Sequence, residues 1–319
     1  ATALTSSGGT FTKSGAGPLT LSGANTYGGG TTITGGTIKL GNASGIGKSG
    51  SYGGTLTVKN GTFDLAGFNN YSNVNQTGAP STWLTTATVT LGGLAGATPQ
   101  IIDSGATKYG IAFANATTAL VYDATNNPGM ATISAQWTQT GTSSVGSRIV
   151  NVGDSTATAI ELDFTGGLGD ASALDGNKTT VEKTGSGVMR ISSANAFPGL
   201  KVSAGTVIVN NVNALGADRT AIPTGASSAG IANLVTVAGG TLDLNGFSNS
   251  IGGLDGGGVT TGTILNNAAS TASTLTVGSS NANTTYGGVI ANGTSTVALT
   301  KTGTGTLTLT GVNTYTGVN

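Results

Sequence analysis

Histidine and cysteine are both absent from the 319-residue sequence. Without histidine there is no Ser-His-Asp triad, no Cys-His dyad and no imidazole-ligated zinc. Without cysteine there is no disulfide framework, no thiol chemistry and no iron–sulfur cluster. Charged residues make up only 8% of the chain, against a usual share of about 25%. Twelve Lys+Arg balance twelve Asp+Glu, so the formal net charge is zero. Nucleic-acid binding, which requires a dense basic patch, is not expected. No apolar run approaches the roughly 18 residues of a membrane helix, so no membrane insertion is expected. With no histidine, little should titrate between pH 5 and 8. Neither a metal nor a cofactor is expected.

Glycine is abundant at 56 residues, and threonine is about as common. Their distribution is repetitive. One block reads F-T-K-S-G-A-G-P-L-T-L-S-G-A-N-T-Y over Phe11–Tyr27, and returns over Val181–Phe197 and Leu299–Tyr315. Lys13, Lys183 and Lys301 align, as do Asn25, Asn195 and Asn313. A second module centres on Gly-Thr, at Gly36-Thr37, Gly61-Thr62, Gly205-Thr206 and Gly240-Thr241. Apolar residues flank each centre: Ile33, Ile38 and Leu40; Val58, Phe63 and Leu65; Val202, Val207 and Val209; Val237, Leu242 and Leu244. Each flank alternates with period two, the signature of a strand. The step across the glycine is odd, so a straight strand would turn the second apolar set to the opposite face. A glycine corner that bends the chain returns both sets to one interior.

Corner-and-strand units repeated along a chain predict a solenoid in which each coil stacks on its neighbours. Roughly ten to thirteen coils rising about 4.8 Å each give a rod on the order of 50–60 Å long. The fold class expected is all-β, a parallel β-solenoid in one continuous domain. Residues 1–75 and 161–319 read as coils, with a divergent or inserted region around 76–160.

The segments Gly29–Gly41 and Gly239–Phe247, with the K-[ST]-G-x-G block, resemble the autotransporter-associated β-strand repeat of bacterial secreted passenger domains. The resemblance covers most of the chain except about 76–160. It implies a right-handed parallel β-helix, export to the cell surface or beyond, and a structural or adhesive role. An intact autotransporter carries a membrane β-barrel after its passenger, whereas this sequence stops inside a repeat at Asn319. Small residues at Ala1–Ala3 suit cleavage of a signal peptide.

Region 76–160 holds both tryptophans, Trp83 and Trp137, with Tyr109, Phe113, Tyr122 and Arg148. Two readings stand. A lateral excursion would present Trp83, Tyr109 and Trp137 to a glycan or partner surface, since aromatics with arginine anchor contacts. Alternatively the aromatics fill the core of divergent coils or of a side-domain, their commoner fate.

Chemistry-bearing motifs are few. Gly45-Ile46-Gly47-Lys48-Ser49 has the tail of a phosphate loop but lacks its first glycine and a following helix. Ile46 and Leu215 read instead as matched interior positions. Gly252–Gly257 has the look of a calcium-binding nonapeptide but occurs once, so it reads as a flexible turn. Glu161 and Asp163, two apart, are the best carboxylate pair for polysaccharide hydrolysis, though the solvated face of a strand explains them more simply. Asp64 and Asp243 read as outward, edge-protecting charges. The aligned lysines read as architectural, snorkelling over a coil edge. The aligned asparagines read as turn residues or amide ladders. Sequons such as Asn115-Ala-Thr and Asn292-Gly-Thr arise by chance in so threonine-rich a chain. No catalytic residue is assigned, and the protein is not expected to be an enzyme.

Solenoids carry polar capping repeats, and none is visible at either end. Leu4 aligns with Leu56, and Gly9-Thr10-Phe11 resembles the second half of the Gly-Thr module. The expected role is an extracellular or cell-surface structural protein polymerising head to tail; the rival reading of these ends is that they are cut points in a longer polypeptide. The interface would draw on Ala1, Leu4, Gly9, Thr10, Phe11, Leu307, Leu309, Asn313, Tyr315 and Asn319. An adhesin binding glycan or host surface through 76–160 is the alternative.

Overall fold

The computed structural model describes residues 2–42, 44–46, 48–49, 52–53, 55–68, 88–106, 110–113, 118–139, 147–168, 180–195, 199–216 and 233–317. Every regular element among them is a strand. Among the described residues the strand pairings are parallel except one, the antiparallel pair Lys48–Ser49 with Tyr52–Gly53. The fold is a right-handed parallel β-helix. It comprises two compact units, Ala1–Gly141 with Ser155–Gly166, and Thr142–Asp154 with Gly167–Asn319.

In the first unit one stack runs Phe11–Lys13, Thr31–Ile33, Leu56–Val58, Val89–Gly92 and Thr118–Asp123. A second runs Pro18–Leu21, Thr37–Leu40, Thr62–Asp64, Gln100–Ile102, Ala131–Ile133 and Leu162–Phe164. Successive strands alternate between the stacks, so each coil contributes one strand to each. Region 76–160 supplies coils to both stacks and adds a two-stranded parallel sheet, Gly110–Phe113 with Gln136–Gln139.

The second unit repeats the plan. One stack runs Ser147–Val152, Thr180–Thr184, Gly199–Val202, Leu234–Val237 and Gly253–Asp255. The other runs Val188–Ile191, Thr206–Val209, Thr241–Asp243, Thr263–Leu265 and Val289–Ile290. Asn249–Ile251, Ser273–Val277 and Val297–Lys301 form a third stack, and Thr284–Tyr286 pairs with Leu307–Leu309.

The four Gly-Thr modules behave as their alternation requires. Ile33, Ile38, Leu40, Val58, Phe63, Leu65, Val202, Val207, Val209, Val237, Leu242 and Leu244 are all buried. Ile38 stacks on Phe63, and Val207 on Leu242. The corner glycines Gly36, Gly61 and Gly205 have φ of 70°, 97° and 64°. A Cβ on Gly36 would lie 2.4 Å from the Gly15 carbonyl oxygen of the coil beneath, and one on Gly205 equally close to that of Gly187. Glycine is fixed there by both backbone and neighbour.

Candidate functional site

The sequence candidates for chemistry turn out to be parts of the frame. Glu161 and Asp163 are buried, at 1% and 3% exposure, instead of standing on a solvated face. Glu161 Oε1 accepts the Ser155 amide at 3.2 Å, while the Ser155 hydroxyl donates to the Pro128 carbonyl at 2.6 Å. The Tyr122 hydroxyl donates to the carbonyls of Pro128 and Gly129, each at 2.9 Å. Burial pushes the Tyr122 phenol up to about 12. These groups tie turns of neighbouring coils together.

Asp64 and Asp243 do not point outward either; both are buried. Asp64 Oδ1 accepts the amides of Ala66 at 2.8 Å and of Ser104, on the next coil, at 2.9 Å. Asp103 Oδ1 in turn accepts Gly105 and, back across the gap, Gly67. Asp243 and Asn266 repeat this reciprocal clasp: Asp243 takes Asn245 and Asn267, and Asn266 takes Ala268 and Gly246. Burial alone would raise the Asp64 carboxyl, but the Ser104 and Ala66 hydrogen bonds and the Lys39 charge hold it below its ordinary value. The recurrence of Asp-Leu-x-Gly at 64–67 and 243–246 is the sequence signal for this device.

Of the two glycine-rich motifs, the first keeps its interior reading and the second changes. Lys48 and Ser49 lie in the antiparallel hairpin, while Ile46 and Leu215 are interior. Gly253–Asp255 is a strand with Leu254 in the core, followed by a turn at Gly257 and Gly258, whose φ values are positive. Trp137 is 1% exposed and meets Phe164 edge-on, with ring centroids 5.6 Å apart. It is a core residue, so it cannot face a glycan. Trp83 and Tyr109, like Ala1, Asn115 and Asn319, lie outside the described residues.

The aligned lysines form clasps instead of snorkelling. Lys183 is fully buried. Its ammonium donates to the carbonyls of Thr184 and Gly185 in its own corner and of Ala204, on the next coil, at 3.1 Å. Lys13 does the same to Ser14, Gly15 and, on the next coil, Gly35. Lys301 is exposed and, among the described residues, donates to its own corner, Thr302 and Gly303. The aligned asparagines bridge coils and do not ladder. Asn195 accepts the Leu168 amide at 2.7 Å from one neighbouring coil and donates to the Ala214 carbonyl of the other at 2.6 Å. Asn25 likewise links Leu4 to Gly45. Asn313 accepts the Ile290 amide, but its own amide donates locally to Gly311.

The three block copies therefore differ in what covers them. Met189 and Ile191 of the middle copy are fully buried, whereas Leu307 and Leu309 at the same repeat positions are half-buried. On the opposite face, a Cβ on Gly187 would meet the Gly153 carbonyl oxygen at 2.3 Å, and one on Gly305 that of Ala282 at 2.3 Å. Their counterpart Gly17 has nothing within 4 Å, and neither has Gly15. Phe11 and Leu19 are correspondingly half-buried. Leu4 is 42% exposed and belongs to no strand. It sits beneath Asn25, where Leu168 sits beneath Asn195, and so does not share the core position of Leu56. Gly9 and Thr10 precede the strand Phe11–Lys13 and form no Gly-Thr corner.

A family model described as the passenger-associated-transport-repeat matches residues 11–40, 181–209 and 299–319, the regions of the three blocks. No match is found among curated proteins or among solved structures.

Proposed function

The chain carries the passenger-associated-transport-repeat in three copies, and from that premise we propose that it is an exported structural β-solenoid. Its uncovered coil faces stack head to tail into a cell-surface or extracellular filament. The observation that carries this reading is the state of the core at those faces. Leu307 and Leu309 on one, and Phe11 and Leu19 on the other, point inward yet stay half-buried. Their middle-copy equivalents are sealed. Among the described residues no strand pairs with the outer edge of Phe11–Lys13, whereas at Val297–Lys301 the Gly317 amide donates to the Val297 carbonyl. A coil edge without a paired strand is a template for a strand added in register. The two faces are different surfaces, so a contact between them is heterologous. Repeated without closure it gives a filament.

Negative-stain microscopy and light scattering over a concentration series test this. The expected result is particles that lengthen with concentration at constant width. Particles that stay monomeric at the highest soluble concentration refute it.

A further inference from the structure

We infer that Asn60-Gly61 is a self-modification site: the asparagine at this corner cyclises onto the amide that follows it, converts to aspartate or isoaspartate, and so unpins the corner from its neighbouring coils. Three Asn-Gly pairs lie in the sequence, Asn60-Gly61, Asn245-Gly246 and Asn292-Gly293. Such a ring closes most readily before glycine, which puts no side chain in the path of the attacking nitrogen. The fold sorts the three pairs. The Asn245 side-chain amide donates to the Val209 carbonyl at 3.2 Å, and the Gly246 amide donates to Asn266 Oδ1 at 2.8 Å. Asn292 Oδ1 accepts the amides of Val297 and Thr316, and its nitrogen donates to Thr316 Oγ1 at 2.7 Å. The Gly293 amide donates to the Ser295 carbonyl. In both pairs the attacking nitrogen and the side chain it would attack are tied to other partners. Asn60 is exposed. Among the described residues its side chain makes no hydrogen bond, and neither does the Gly61 amide.

The conversion needs water alone. The Gly61 nitrogen gives up its proton to solvent base and bonds to Asn60 Cγ. The bond from Cγ to the side-chain nitrogen breaks, and that nitrogen takes up a proton and leaves as ammonia. Water then opens the succinimide ring. Cleavage between the ring nitrogen and Cγ gives aspartate. Cleavage between the ring nitrogen and the main-chain carbonyl carbon leaves the chain running through Cβ, an isoaspartate with an extra main-chain atom. The corner has no slack for that atom. Gly61 has φ of 97°, and a Cβ placed on it would collide with the Gly36 carbonyl oxygen of the coil beneath. The Thr62 amide donates to that same oxygen, and the Gly61 carbonyl accepts the Gln100 amide of the next coil, each at 2.9 Å. Isoaspartate at this position loosens both bonds. Either product adds a negative charge to a chain of zero formal net charge, so anion exchange separates it.

The test incubates the purified full chain in mildly alkaline buffer, native and in urea, and follows the three pairs by peptide mass spectrometry. A protein isoaspartate methyltransferase with labelled S-adenosylmethionine is the probe for isoaspartate. In the native chain Asn60 should convert about ten- to a hundredfold faster than Asn245 or Asn292, because two or more hydrogen bonds must open at each held pair before its ring can close. In urea the three rates should converge. Asn60→Gln, whose ring closes far more slowly, should remove the acidic product. In the separated isoaspartyl form, hydrogen exchange at the Thr62 and Gln100 amides should rise. If native Asn60 converts no faster than the other two, or urea leaves the ratio unchanged, the fold does not select this site and the proposal is overturned. Unchanged exchange at Thr62 and Gln100 in the isoaspartyl form would overturn the unpinning.

Discussion

Lys183→Met should destabilise its coil far more than Lys301→Met, although both lysines stand in the same Lys-Thr-Gly context. Methionine keeps the length of the stem and removes only the ammonium. At Lys183 the ammonium is fully buried and donates to three carbonyls, at 3.0, 2.8 and 3.1 Å. A hydrogen bond to a charged group contributes about 1.5–3 kcal/mol, but several kcal/mol of desolvation offset the sum. Breaking a buried charged contact from one side nets about 3–5 kcal/mol. Because the abandoned partners here are neutral carbonyls, the lower end applies, about 3 kcal/mol. At about 1.4 kcal/mol per tenfold, local opening becomes about a hundredfold more frequent. Native-state hydrogen exchange reads this directly. The amides to follow are Ser203, which donates to the Lys183 carbonyl, and Thr206, which donates to that of Gly187. Lys301 is exposed and, among the described residues, holds its own corner, so Lys301→Met should leave exchange in its coil close to wild type. Equal effects at the two sites, or protection unchanged in Lys183→Met, would refute the clasp.

Three other outcomes are expected. Gly205→Ala should cost more than Gly15→Ala in urea unfolding followed by circular dichroism. Both have positive φ, which costs a side chain about 1–2 kcal/mol, but only at Gly205 does the added Cβ also meet backbone oxygens, those of Gly187 and Gly185. Trp137→Ala should lower stability by about 3–5 kcal/mol, read as a fall in thermal midpoint, since the ring is buried against Phe164. Stability should be nearly flat from pH 8 to 5 and fall in acid. For Asp64, hydrogen bonds and the Lys39 charge outweigh burial, and for Glu182 those of Ser203, Lys201 and Ser147 with the Lys201 charge do the same, so both carboxyls lie below their ordinary values. A depressed carboxyl stabilises the fold above its unfolded pKa, about 4, and loses that contribution as pH falls through the folded value. A thermal-melt series should show Asp64→Asn flattening the decline below pH 4; an unchanged decline would mean the acid sensitivity lies elsewhere.

The core was legible because it is local. A period-two flank, a glycine and a second flank lie within eight residues, and that window alone placed Ile33, Ile38 and Leu40 inside, with equal success at the other three modules. The polar groups were misplaced because their partners lie in neighbouring coils, far along the chain. Strict alternation puts Asp64 outside, between Phe63 and Leu65. In the structure the chain bends after Asp64, and its carboxylate turns in to meet Ser104, 40 residues away. Lys183 and Asn195 likewise find carbonyls 21 and 19 residues on. No single-strand pattern encodes such a pairing; only the recurrence of the same residue at the same repeat position points to it.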